Sequence, residues 1–192
     1  MILLCDEGEQ TMNIFKKIFG KTEKVPDKKK LDINELINSE DINGSIIALD
    51  NYISGLCDYG ESIEKLNEHQ KIFFYNQTIE REVNNGGFNQ FYYNSSGDYA
   101  HETVESLKSI GAEKTAQIAN KANSQFPNNI VSKDRDERQD VLDQIENKAN
   151  DNWEKLDVDF CNYEEDLNAL NMGYIKKHSE HFILNHTTTK ST

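Results

Sequence analysis

The sequence predicts an all-α protein: a single compact multi-helix domain with a short N-terminal extension. Only two prolines, Pro26 and Pro127, interrupt 192 residues, so long helices can form almost throughout. Apolar residues recur at steps of three and four, the spacing of one helix face, and no stretch alternates in the manner of a strand. Glycines and capping residues fall between the periodic segments.

Residues 1–30 read as an extension and linker. Met12, Ile14, Phe15, Ile18 and Phe19 give one short amphipathic stretch, and the lysine-rich run Lys24 to Lys30 carries Pro26. The helical domain is expected over 31–184. Asp32 and Glu35 make an acidic version of the capping box. A helix over 41–57 buries Ile42, Ile46, Leu49, Ile53 and Leu56. After Gly60 a long helix over 61–84 carries two adjoining apolar stripes, which makes it the central one. Gly86 and Gly87 end it, because glycine accepts the left-handed geometry of a helix end. Phe88 to Asn94 gives one or two further turns, with Phe88, Phe91 and Tyr92 pointing inward. Ser96 or Asp98 is expected to cap the next helix, which ends at Gly111, and an alanine-rich helix follows up to Phe126. An acidic helix over 134–149 leads into a connection packed by Trp153, Leu156, Val158 and Phe160. A last helix is expected over 163–184, and 185–192 form a polar, disordered tail.

Charge narrows the function. The chain has a formal net charge of -13. Residues 134–166 alone hold thirteen acids against four bases. Such a field repels nucleic acid and favours basic partners, although solubility alone also explains an acidic surface. No apolar run approaches the roughly eighteen residues that span a bilayer. Met1 to Cys5 is apolar but lacks a basic flank and is followed at once by Asp6 and Glu7, so neither a secretory signal nor a membrane anchor is expected. Cys5, Cys57 and Cys161 lie far apart and in no paired motif. They read as reduced thiols of a cytoplasmic protein.

The densest motif is Asn84-Asn85-Gly86-Gly87-Phe88-Asn89-Gln90-Phe91-Tyr92-Tyr93-Asn94-Ser95-Ser96-Gly97-Asp98. It holds no good nucleophile, no histidine and no metal-ligand cluster. Asn85, Gly86, Gly87, Phe88, Gln90, Phe91 and Asn94 therefore read as determinants of shape, the glycines ending a helix and the amides bonding the backbone of the turn. A small polar pocket under Phe88 and Tyr92 is the functional alternative.

This run resembles the bacterial all-helical family that includes the acidic DNA-mimic proteins. Ala100 to Gly111, Ala119 to Pro127, Leu156 to Phe160 and Tyr174 to His178 are also similar to that family's pattern, so the likeness spans about residues 45–184. It implies a helical fold without known catalysis. In the mimic subset, surface carboxylates stand in for phosphates and occupy the DNA site of a DNA-binding protein.

The candidate binding surface is Asp134, Asp136, Glu137, Asp140, Asp143, Glu146, Glu154 and Asp157, with a solvated helix face as the plain alternative. Carboxylates one turn apart lie ~5.4 Å apart along the axis, whereas duplex DNA carries a charge every ~1.7 Å. One helix cannot match that density. A second row formed by Glu154, Asp157, Asp159, Glu164, Glu165 and Asp166, or a homodimer mate, has to contribute. His178, His181 and His186 have loosely metal-like spacing but no supporting cysteine or second motif, and His69 and His101 stand isolated. Neither a metal nor a cofactor is expected. The expected function is a non-catalytic, acidic protein-binding domain whose partner is a basic, DNA-binding protein, with no direct contact to nucleic acid or membrane. A toxin-neutralising or immunity-type protein, and an enzyme with a pocket at the Asn-Gly-Gly turn, are the rivals.

Overall fold

Helical periodicity decides the architecture. The computed structural model describes residues 31–183, apart from the side chains of Glu146 and Asn147. The expected N-terminal extension and the whole of the expected C-terminal tail, 185–192, lie outside them. Among the described residues there are seven α-helices and no strand: α1 (Ile33–Ile37), α2 (Ile42–Leu56), α3 (Glu68–Tyr93), α4 (Ala100–Ser109), α5 (Glu113–Asn123), α6 (Arg135–Cys161) and α7 (Leu167–Lys177). Short 3-10 turns join them.

The central helix is α3, which packs against α2, α4, α6 and α7. Its N-terminal half places Phe73, Phe74 and Tyr75 in an apolar cluster with Ile46, Leu49 and Ile53 of α2, Met172 and Ile175 of α7, and Phe182. Its C-terminal half places Ile79, Val83, Phe88, Phe91 and Tyr92 in a second cluster. There it meets Leu107 of α4, Ala116 of α5, and Trp153 and Phe160 of α6. The alanines of α5 (Ala116, Ala119, Ala122) are buried, as small residues at a close helix contact should be.

A buried polar chain crosses from α7 through α3 to α4. Asn76 Nδ2 donates to Asn171 Oδ1 at 3.1 Å, and Ser106 Oγ donates to Asn76 Oδ1 at 2.7 Å. Asn76 and Asn171 are fully buried. The chain favours one register of the three helices, because a slip would break both bonds in an apolar interior, where Asn171 Nδ2 already lacks a partner among the described residues.

Several ends match the capping chemistry. Asp32 accepts from the Asn34 amide and Asp41 from the Gly44 amide, both at 2.8 Å. Gly111 (φ +85°) closes α4, with the Ala112 amide donating to Leu107 O and the Gly111 amide to Lys108 O. That is a Schellman pair, and it needs the positive φ.

Other ends differ from the sequence expectation. The long helix starts at Glu68, not near 61, because Asn67 and Gln70 form a reciprocal capping box (3.0 and 3.1 Å). Ile63 and Leu66 belong to the turns before it. The acidic helix does not stop at 149. It runs to Cys161, since no glycine or proline interrupts it and Leu142, Ala149, Trp153, Leu156 and Phe160 form one buried stripe. Val158, expected to pack, is 61% exposed. The last helix is α7 alone. Asp166 caps it by accepting from the Ala169 amide at 2.9 Å, and a 3-10 turn over Ser179–Phe182 takes the place of its last two turns. Neither Ser96 nor Asp98 caps α4. Ser96 Oγ donates back to Phe91 O, and Asp98 binds Arg138.

Asn76→Ala should lower unfolding free energy by about 2 kcal/mol or more in urea melts, because it leaves Asn171 and Ser106 without their buried partner.

Candidate functional site

The Asn-Gly-Gly motif breaks α3. Backbone geometry leaves the helix at Gly86 and Gly87 (φ +71°, ψ -174°) and returns to it at Phe88. The restarted turn needs acceptors for its free amides. Asp157, from α6, supplies one: its Oδ1 accepts from the Phe88 amide at 2.8 Å. A Cβ on Gly87 would sit 2.3 Å from Asp157 Oδ2. Glycine is required there twice over, by its φ and by this approach. A Cβ on Gly86 would lie 2.2 Å from Gln90 Oε1.

Gln90 Nε2 and Asn94 Nδ2 both donate to Glu82 Oε2, at 2.9 and 2.8 Å. Glu82 lies one turn before the break, so the two amides staple the resumed turns to the helix they left. The expected partner was the turn's own backbone; a carboxylate takes that place. Asn85 is exposed. Asn84 donates to the Tyr163 hydroxyl. Phe88, Phe91 and Tyr92 face inward, with Tyr92 4.8 Å from Phe126 and 5.3 Å from Trp153. Full burial pushes the Tyr92 phenol well above its ordinary pKa. It stays protonated and donates to Asn123 Oδ1 at 2.7 Å. Around this turn, Gln90 and Asn94 are bound to Glu82 and the Phe88 amide to Asp157.

Arg138 closes the other end of the restarted segment. Its side chain is fully buried. Nε donates to Tyr92 O at 2.7 Å and Nη2 to Asn94 O at 2.9 Å, carbonyls that the helix end leaves free. Nη2 also pairs with Asp98 Oδ1 at 2.6 Å, and Nη1 donates to Ser132 O at 2.6 Å. A Cβ at position 97 would lie 2.5 Å from Nε, so Gly97 makes room for the guanidinium. In the sequence Arg138 is simply one base in an acidic run. The available signal was its place four residues before Leu142, on the buried stripe.

The acids of α6 divide by face. Asp136, Asp140, Asp143, Asp151 and Glu154 are exposed and share the side of α6 opposite its buried stripe. Among the described residues, no ion pair involves any of these five. Asp151 was not among the candidates from sequence. Asp134 is the N-cap of α6, accepting from the Glu137 amide at 3.0 Å, and Glu137 accepts from Ser132 Oγ. The Glu146 side chain is outside the description.

The expected second row is mostly engaged in holding the fold. Asp157 is half-buried against Phe88, and burial raises its pKa more than the Phe88 amide lowers it. Glu164 pairs with Lys114 at 2.7 Å. Glu165 accepts from the Lys114 and Thr115 amides and the Thr115 hydroxyl at 3.1, 2.9 and 2.8 Å, capping α5 from a distance. Burial raises the Glu165 pKa, but those bonds and the Lys114 charge outweigh it and hold the carboxyl below the usual range. Asp166 caps α7. Asp159 stays exposed beside Val158.

His69 is not isolated, because its ring stacks on those of His178 and His181. Among the described residues, no group of three or more histidine, cysteine, aspartate or glutamate side chains is arranged to hold a metal ion. No described helix is long and apolar enough to cross a membrane.

The family model of the DMP19-like proteins matches residues 64–178, more than half of the chain. This chain belongs to the DMP19-like family. No curated protein and no solved structure matches it. The matched span of this DMP19-like protein contains the glycine break, Glu82, Arg138, the α6 ridge and Glu165. It also contains His69 and His178 but not His181.

Two substitutions at Asp157 separate its bond from its charge. Asp157→Ala should cost about 1 kcal/mol in urea melts, as loss of a capping acceptor does. Asp157→Asn keeps the acceptor and relieves the buried charge, so its stability should stay within about 0.5 kcal/mol of the parent. Arg138→Met strands three carbonyls and Asp98, and the same melts should show a loss of about 3–5 kcal/mol.

Proposed function

We propose that this DMP19-like protein is a non-catalytic binding domain that engages a basic, DNA-binding protein through the outer face of α6, in the manner of a DNA mimic. The observation that carries the reading is the ridge Asp136, Asp140, Asp143, Asp151 and Glu154, exposed on one continuous helix and without ion pairs among the described residues. Carboxylates that already serve the fold are poor mimics of phosphate, because their lone pairs are taken. These five keep theirs free.

Magnitudes set what the ridge must do. From 136 to 154 it runs ~27 Å, a length over which duplex DNA carries roughly sixteen phosphates. Five carboxylates reach about a third of that density. With Asp157, Glu165 and Asp166 engaged elsewhere, a second copy of the chain is the source of further charge that fits best. Family membership supports a mimic-type domain over the toxin-neutralising reading, and the amides of the Gly86-Gly87 turn are engaged with Glu82, which supports a structural over a catalytic role for the motif.

The test is capture of partners from a lysate of the source cells, followed by quantitative binding of the partner found. A basic DNA-binding protein should be retained, lose at least about tenfold in affinity between roughly 50 and 200 mM salt, and be displaced by duplex DNA. Changing Asp136, Asp140 and Asp143 together to lysine should abolish retention without shifting the melting midpoint. A partner whose binding ignores salt, DNA and this triple change overturns the proposal.

A further inference from the structure

Three histidines meet at the end of the domain formed by the start of α3 and the close of α7. His69 lies in the first turn of α3, His178 is the C-cap of α7, and His181 lies in the 3-10 turn beyond it. The His69 ring is stacked between the other two, 4.4 Å from His178 and 4.0 Å from His181, with interplanar angles of 26° and 22°. Tyr174 tilts against His178 at 4.6 Å, and its hydroxyl is 2.7 Å from His69 Nδ1.

The same junction holds the 3-10 turn to α3. Asn67 Nδ2 and Gln70 Nε2, the two capping-box side chains, donate to the His181 carbonyl at 2.8 and 3.3 Å. Phe182 is fully buried and meets Phe73 edge-on at 6.3 Å. Three imidazoles therefore form the flat contact between the α3 N-terminus and the chain that follows α7.

That contact suits neutral rings. Stacked imidazolium ions repel, and the positive end of the α3 dipole also opposes a charge on His69. The charged and titratable neighbours come from each element present. On α3, Glu68 is shared with Lys71. On α7 stand Tyr174, His178 and the exposed Lys176 and Lys177. On the turn, Glu180 lies 3.5 Å from His181. Burial, then His181 and His178, lower the His69 pKa, and Glu180 and Glu68 do not make up the difference.

We propose that the stack of His69, His178 and His181 is a pH-operated latch, closed at neutral pH and opened by mild acid, which frees the Ser179–Phe182 turn from α3. The sign follows from proton uptake. A freed His69 titrates near 6.5, and the latched one lower. The open form therefore binds more protons below that pH. The latch is at full strength above pH 6.5 and weakens as pH falls toward the lower, latched value. Opening bares Phe182 and the side of Phe73 that it covers.

Hydrogen exchange on the full chain tests this, read by mass spectrometry at about pH 7.5 and pH 5.5 and normalised to intrinsic rates. Peptides covering 178–183 should lose protection at the lower pH, by up to about tenfold, the ceiling for one imidazole that titrates near 6.5 when freed, while those of α6 keep theirs. His69→Phe and His181→Phe each keep a ring in the stack without its titration. In His69→Phe the drop should be absent, with protection agreeing within about twofold between the two pH values, and in His181→Phe it should be smaller than in the parent. Unchanged protection in the parent, an equal loss along the whole chain, or a full loss in both variants overturns the latch. So does a His69 C2–H resonance that titrates at or above 6.5 in the folded protein.

Discussion

Arg138 is the interaction on which the rest depends. A guanidinium without solvent contact is costly unless its donors are matched, and here they meet three carbonyls and one carboxylate. Those acceptors belong to the segment after the glycine break and to the loop before α6. One side chain thus ties the restarted end of the central helix to the first turns of the longest one. Gly97 is small because Arg138 lies against it, and Asp98 is acidic because Arg138 is positive. The orientation of α6, and hence of its outer acidic face, follows from this fit.

Acidity in this chain has two distinct uses. Asp32, Asp41, Asp134 and Asp166 cap helices, and Glu165 and Asp157 do the same across tertiary contacts. Glu82 clasps the two amides of the motif. These carboxylates are bound to backbone or amide donors and belong to the fold. Among the described residues, the ridge Asp136, Asp140, Asp143, Asp151 and Glu154 has no such engagement. A net charge of -13 therefore overstates the carboxylate that stands unengaged at the surface, and the residue-by-residue division states it better.

The all-α class, the central helix, the glycine break and the inward aromatics were legible in the sequence, because each rests on local periodicity or on a conformation only glycine adopts. The outer acids of α6 were legible for the same reason, with Asp151 the omission. Arg138, Glu82, Glu165 and His69 were not. Each acts on residues far away in the chain or across a helix break, and an isolated charge or imidazole carries no periodic signal. Asp157 misled for that reason too. Its spacing matches a surface row, yet the α3 restart reaches it and draws it half into the core.

Helix ends show the same boundary. Asn67, Asp41 and Gly111 act on amides or carbonyls within a few residues, so composition determines them. The length of α6 and the early stop of α7 depend on which faces find partners. Trp153, Leu156 and Phe160 extend α6 because α3 and α5 offer them a core, and after α7 the chain tightens into a 3-10 turn that carries Phe182 to Phe73. The sequence by itself determined the helices, the break and the amount of negative charge, because these follow from neighbouring residues. Only the tertiary structure decided which carboxylates stay free and which histidines meet, because hydrogen-bond donors and stacking partners are brought to them by packing.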